Sequence, residues 1–303
     1  MLDIAVEDNS GRVGVRVSED ELLDTVRDMG EWPDSFVVLQ RVPDLPHTYA
    51  QACPENGAWT VEHRAGSPAR HYGARVDDLE QVAALLLGWA REDEGWDAGV
   101  AWERIEFDVP EPAPLELSAQ DERTLVEAVR VLLAGGYATR AQVADFAAEC
   151  LVDGGSRPVT KEQAKQLADR MWLERVAEQR AWVGETDPER VARAFAALEA
   201  AGITARENFT CCRNCGHEEI GAEAAEGSRG FVYFHSQGTE GAASGQDLWL
   251  LYGGWDGSPD TTAAVGREVV AALEDRGLEV RWDGSPDEAI RVTGLDWRRR
   301  LVG

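Results

Sequence analysis

The chain has 303 residues, a net charge of −26 and 44% hydrophobic residues, among them 11 tryptophans. That is enough apolar material for two domains, each burying a core without disulfide staples. The acid excess argues against binding nucleic acid or an anionic membrane, both of which call for clustered Lys and Arg.

No apolar run approaches membrane-spanning length, and the Met1–Asp8 stretch lacks the basic start and apolar core of a signal peptide. A cytoplasmic location is therefore expected. An odd set of five cysteines fits reduced thiols or metal ligands better than a disulfide framework. Lys161 and Lys165 are the only lysines, which reads as a bacterial coding bias toward arginine.

From the start of the chain, Gly11–Val17 alternates as a half-buried strand does. Ser18 and Glu21 form a capping box that opens a helix to about Met29, closed by Gly30. Ser35–Arg41, His47–Cys53, Ala58–Arg64 and Arg70–Val76 read as strands between Pro, Asp, Asn and Gly turns. Asp77 caps a helix over Asp78–Arg91 with Val82, Leu85, Leu86 and Trp89 on one face, and Ala101–Val109 returns as a last strand.

The order β-α-β-β-β-β-α-β predicts a small α+β domain, an antiparallel sheet with two helices. Trp89, Trp96 and Trp102 are expected to pack as core over one end of that sheet. His63 and His71 lie on adjacent strands and could face each other across a hairpin, but with no cysteine at ligand spacing they read as ordinary histidines. Cys53 reads as a small core residue.

The alternating prolines Pro110, Pro112 and Pro114 predict an extended connector. They divide the chain into an N-terminal domain (1–109), a linker (110–117), a helical segment (118–185) and a C-terminal α+β domain (186–303). In the helical segment Ser118 caps a helix with Leu125, Val129 and Leu132 on one stripe, ended by Gly135 and Gly136. Thr139 caps a second helix with Val143, Phe146, Cys150 and Leu151 facing inward. A capping box at Thr160–Gln163 opens a third, which runs to about Trp182. The second helix offers Arg140, Gln142, Asp145 and Glu149 rather than a basic edge, which argues against a DNA-reading helix-turn-helix.

Asp187 and Pro188 start the next helix, and Gly202 stops it. Strands are expected at Ile203–Phe209, Phe231–Ser236, Leu248–Tyr252, Leu278–Trp282 and Ile290–Thr293, with a helix over Thr261–Arg276. This order predicts a sandwich with its helices on one face. Trp-Asp-Gly-Ser-Pro-Asp occurs twice, from Trp255 and from Trp282. Aspartates where a phosphate loop needs Lys or Arg make these turns and helix caps, not nucleotide sites.

Chemistry concentrates in Phe209–His217 and the following Phe231–His235, which hold three of the five cysteines and two of the five histidines. Cys212 and Cys215 form a Cys-x-x-Cys-Gly turn able to present two thiolates to one metal ion, and His235 with either Cys211 or His217 would complete four ligands. If the chain is extended here, Cys211 and Cys212 point to opposite sides. Three readings stay open: one structural zinc ion, reduced thiols packed under a turn, and a redox or catalytic thiol whose pKa the neighbouring Glu218 and Glu219 would raise. Gly-x-Ser-x-Gly, His-Glu-x-x-His, Walker and Rossmann signatures are all missing.

The segments Ala194–Glu199, Ala205–His217, Gly230–His235 with Thr239 and Glu240, and Leu295–Arg300 resemble a bacterial family known as domain of unknown function 6891, over about residues 118–303. Residues 1–109 bear a fainter resemblance to small bacterial immunity proteins, which neutralise a partner toxin. Neither resemblance brings an enzymatic activity. The sequence thus points to a cytoplasmic, non-catalytic protein-binding module, regulatory or immunity-like, whose acidic surface meets a basic partner. The alternative is a thiol-dependent enzyme with Cys212 or Cys215 as nucleophile and His217 or His235 as base.

Overall fold

The computed structural model describes residues 1–11, 13–29, 35–107 and 114–302. Gly30, Pro110 and Pro112, expected as a helix stop and as linker prolines, lie outside them. The chain forms two compact units that interleave in sequence. The first comprises Met1–Glu116, Thr139–Val176 and Leu301–Gly303, the second Leu117–Ala138 and Ala177–Arg300. Both are α+β, as the alternating and helical patterns predict.

The first unit begins with β1 (Ile4–Asp8), β2 (Val13–Val15), α1 (Glu19–Met29), β3 (Val37–Arg41), β4 (Thr48–Glu55), β5 (Ala58–Ala65), β6 (His71–Val76), α2 (Leu79–Arg91) and β7 (Glu103–Arg104). The strands form one sheet of order β2-β1-β3-β4-β5-β6-β7, antiparallel throughout. Leu22 and Val26 of α1 and Val82, Leu86 and Trp89 of α2 close over Ile4, Leu39, Ala52 and Val61, with Trp96 and Trp102 at the margin. Each fully buried side chain of this size stabilises by roughly 1.5–3 kcal/mol, so this face holds the unit together.

The Ser18 box forms as expected: the Ser18 amide donates to Glu21 Oε2 at 2.7 Å and the Glu21 amide to Ser18 Oγ at 3.2 Å. Asp78, not Asp77, caps α2, accepting from the Glu80 amide. Strand β1, second from the edge of the sheet, was not expected, because only Ile4 and Val6 of its five residues are buried and so short an alternation is weak. The strand expected over Ala101–Val109 shrinks to the two residues of β7; Asp108 and Val109 lie outside the described residues.

The register of β5 on β6 pairs His63 with Tyr72 and Arg64 with His71. His63 and His71 therefore point to opposite faces instead of meeting. His63 stacks on Tyr72 between the edges of Trp96 and Trp102. His71, 1% exposed, sits on the outer face beside Glu62 and Arg64.

After α3 (Ala119–Gly135), which belongs to the second unit, α4 (Arg140–Glu149) and α5 (Lys161–Gln179) follow. Thr139 caps α4 in a complete capping box with Gln142. Phe146, expected inside, is 39% exposed, and Cys150 is only half-buried at the helix end. Within the first unit, Arg140 bridges Asp44 at 2.6 Å and Asp169 at 2.5 Å, while the buried Trp172 indole donates to the Asp44 carbonyl.

The second unit continues with α6 (Asp187–Ala200), β8 (Ile203–Arg206), α7 (Arg213–Glu219), β9 (Gly230–Tyr233), α8 (Ser236–Ala243), β10 (Leu248–Gly254), α9 (Pro259–Glu274), β11 (Glu279–Arg281) and β12 (Ile290–Thr293). Its sheet runs β11-β12-β10-β9-β8. Only β8 and β9 are parallel, joined by a crossover through α7. Phe195 and Leu198 of α6 and Val265, Val269 and Leu273 of α9 bury one face against Ile203, Val232, Leu250 and Val292.

The other face, expected to be bare of helices, is partly covered. Ile220, just after α7, packs on Phe231 and Tyr233. Two helices were unexpected: α7 is only seven residues long, and α8, rich in Gly, Ser and Thr, has a weak helical signature. Among the described residues, no helix is long and apolar enough to cross a membrane.

Candidate functional site

The cysteines leave the carboxyl end of β8 and His235 leaves that of β9, so both sit beside the one parallel strand pair, where open α/β sheets place their ligands. The chain turns sharply off β8. Asn208 and Thr210 both adopt left-handed backbone, with φ of 48° and 58°. For a β-branched threonine this is a strained conformation that the surroundings must hold.

They do so from α8. The Ser236 amide donates to the Thr210 carbonyl at 3.1 Å, the Ser236 hydroxyl to the Cys211 carbonyl at 3.2 Å, and the Thr239 hydroxyl to Asn208 Oδ1 at 2.8 Å. On the far side of the turn, Gly216 meets the ring of Tyr233, whose hydroxyl donates to the Arg213 carbonyl at 3.2 Å.

This geometry gathers three thiols. Cys211, Cys212 and Cys215 have Sγ atoms all within 4.8 Å of one another, with Cys215 lying 3.4 Å from Cys211 and 3.7 Å from Cys212. The expectation that neighbouring Cys211 and Cys212 diverge is thus corrected. They do not lie on an extended strand: Cys212 is the residue capping α7, and the turn at Thr210 swings Cys211 onto the same side. A Cys-x-x-Cys pair at the start of a helix, which the sequence reading had placed in a strand-led turn, is what the structure contains.

The thiols differ in acidity. The Cys215 amide, then the Cys215 and Cys211 side chains, hydrogen-bond to Cys212 and hold its thiol below the ordinary value. Cys215 is pushed up to about 12, first by hydrogen bonding to Cys211 and Cys212 and then by their charge. Three thiolates crowded together repel, so the last proton stays unless a cation replaces it.

The two histidines expected as ligands stand outside this group among the described residues. Arg213 and His217, four residues apart on α7, share the helix face that lines a neighbouring cleft, and His235 lines the same cleft. His235 Nδ1 accepts the Gly238 amide at 3.1 Å, capping α8, and burial lowers the pKa of its ring. Sequence reasoning missed the cleft residues Arg213, Trp249, Tyr252, Asp287 and Glu288. Of these only Arg213 carried a signal, its i,i+4 spacing to His217.

The repeated Trp-Asp-Gly-Ser-Pro-Asp turns are structural, as expected. Ser258 caps α9, and Asp256 accepts from the Ser258 amide and the Thr261 hydroxyl. The Leu295–Arg300 ending clasps the second unit. The Trp297 indole donates to the Gly135 carbonyl, and Arg299 lies 3.8 Å over the Tyr137 ring and 2.9 Å from Glu207.

These elements define an α+β protein with a three-cysteine cluster able to hold a metal ion. Residues 118–301 match the family described as Domain of unknown function (DUF6891), and the chain belongs to that family. No curated protein and no solved structure matches the chain.

Proposed function

We propose that the protein is a non-catalytic binding module of the cytoplasm that carries one zinc ion on Cys211, Cys212 and Cys215. The spacing of the thiols carries this reading. Four ligands at ~2.3 Å around zinc stand about 3.8 Å apart, and the two closest approaches here are 3.4 and 3.7 Å. Thiolates suit zinc or another soft ion better than magnesium or calcium. Because His217 and His235 face the cleft, the fourth corner falls to water or to a donor from a bound partner. The net charge of −26 supports a basic protein as that partner.

Elemental analysis of protein purified without chelator tests the reading. About one zinc per chain, with thiols titratable only after stripping, is the expected result. Metal-free protein that takes up no zinc would overturn it. A salt-sensitive complex with a basic protein is the corresponding test of the partner.

A second reading rests on the opposed acidities of Cys212 and Cys215. In it the Cys212 thiolate attacks a substrate disulfide and releases one substrate thiol. Cys215 or Cys211 then closes a disulfide with Cys212 and releases the second, so the protein is oxidised as the substrate is reduced. Rapid alkylation of a single thiol in folded, metal-free protein would favour it.

A further inference from the structure

The outer face of the second unit's sheet opens into a cleft of about 500 Å³, within the size range of small-molecule sites. Its floor is aromatic and fixed. Tyr233 is 0% exposed, and the Phe231 ring lies over Gly253, where an added Cβ would come within 2.9 Å of it. One wall carries Arg213, His217 and His235.

The opposite wall is the loop bearing Asp287 and Glu288. It too is built: the Tyr252 hydroxyl reaches the Ser285 and Glu288 carbonyls at 2.8 and 3.0 Å, and the Trp282 indole reaches the Ser285 carbonyl at 3.1 Å. Trp249, 47% exposed, stands at the cleft.

The charged groups here are exposed and free of ion pairs among the described residues. Arg213 and His217 have no side-chain partner among the described residues, and neither have the carboxylates of Asp287 and Glu288. This contrasts with Arg206, Arg229 and Arg299 of the same unit, each paired with a glutamate. A cation and two anions, held on facing walls over an apolar floor, are complementary to a ligand with a negative end, a positive end and an apolar body between them.

We propose that this cleft binds a small zwitterion, an amino acid or dipeptide with an aromatic or large aliphatic side chain. Its carboxylate lies against Arg213 and its ammonium group against Asp287 and Glu288. The side chain packs on the exposed ring of Trp249, and the imidazoles of His217 and His235 supply further hydrogen bonds to the carboxylate end. Arg213 belongs to the Cys-x-x-Cys turn itself, so an occupied cleft touches the thiol cluster's own helix. The proposal does not depend on zinc being bound there.

Saturation-transfer NMR with L-tryptophan, L-phenylalanine and glycyl-L-phenylalanine tests it, on the full chain both zinc-loaded and stripped. The expected result is binding of at least one of these zwitterions, weakened on the order of tenfold by N-acetylation and likewise by amidation of the carboxylate, since each removes one charge-assisted contact. Arg213→Gln should reproduce the effect of amidation, and the Asp287→Asn, Glu288→Asn pair that of acetylation. All three side chains are exposed, so circular dichroism should show the variants folded.

Absence of binding by all three compounds at millimolar concentration would overturn the proposal. So would equal binding of the blocked forms, or binding unchanged in the Arg213→Gln variant. Zinc content measured on the same samples keeps this outcome separate from that of the metal reading.

Discussion

Gly216 lies so close to Tyr233 that a Cβ placed on it would stand 2.5 Å from the ring. Tyr233 is fully buried and its hydroxyl is committed to the Arg213 carbonyl, so the ring has nowhere to retreat. The glycine of Cys-x-x-Cys-Gly is thus a packing requirement that sets how closely α7, and with it the three thiols, approaches the sheet. Gly216→Ala should lower stability by about 1–3 kcal/mol through overpacking. It should also reduce zinc retention, because α7 must lift. Chemical denaturation and zinc content on the same preparation check both parts.

Zinc uptake should depend steeply on pH. Cys215 holds its proton up to about 12 in the free protein, so a metal ion entering at neutral pH must expel it, whereas the lowered acidity range of Cys212 makes that thiolate available first. Apparent affinity should therefore rise with pH, by about tenfold per unit for each proton displaced. Competition with a chromogenic chelator between pH 6 and pH 8 (roughly, the window in which thiol ligands still compete with protons) measures the slope. A flat profile would show that the metal displaces no thiol proton, which would remove Cys215 and the thiol cluster as its ligands.

Replacing Cys211, Cys212 or Cys215 singly with serine should each strip the metal, since among the described residues three thiols are gathered there and a hydroxyl is a far poorer zinc ligand. His217→Ala and His235→Ala should leave zinc content unchanged, because those rings line the cleft. Loss of zinc in either histidine variant would return that residue to the ligand set. Side-by-side elemental analysis of the five variants gives the answer.

The two sheets and the helices with strong caps were legible because local chemistry decides them: Ser18 with Glu21, Thr139 with Gln142 and Ser118 before α3 cap helices in the structure as their spacing predicts. The site was legible only in part. Cys212 and Cys215 announce themselves by spacing, but whether Cys211 joins them depends on the backbone sign at Thr210, which bonds from Ser236 hold from 26 residues away along the chain. His235 stands outside the thiol group for the same kind of reason. Its ring caps α8, a helix whose Gly-rich sequence hides it. The cleft was illegible because its floor and far wall come from β9, β10 and the loop before β12, which only the sheet order brings together.

In the first unit, His71 donates or accepts at both ring nitrogens. Arg64, which is a donor only, lies 3.0 Å from Nδ1, so the neutral ring carries its hydrogen on Nε2 and donates to Glu62 at 3.1 Å. Glu62 also accepts from Gln51 at 2.8 Å. Glu62→Ala should leave a buried imidazole N–H and a side-chain amide without their acceptor, costing about 1–3 kcal/mol. Glu62→Gln, which keeps an acceptor oxygen, should recover most of that loss in thermal unfolding. Equal destabilisation by both variants would mean that the carboxylate's charge, not its hydrogen bonding, is what the site requires.

Arg299 brings together residues from three distant parts of the second unit. Its guanidinium stacks on Tyr137 while bonding Glu207, to which the Tyr137 hydroxyl also donates at 2.6 Å. Burial first, and then the Glu207 charge, pushes the Tyr137 phenol well above its ordinary range, so it remains a neutral donor. Glu207 immediately precedes the turn that carries the cysteines, which makes the clasp a brace for the site as well as for the fold. Arg299→Leu removes the cation from a half-buried carboxylate and should cost about 2 kcal/mol. Arg299→Lys keeps the charge but loses both the planar stacking and the fork, and should fall between wild type and Arg299→Leu. If Arg299→Lys matches the wild type in thermal unfolding, charge alone secures the ending. If zinc retention falls along the same series, the clasp reaches the thiol cluster through Glu207.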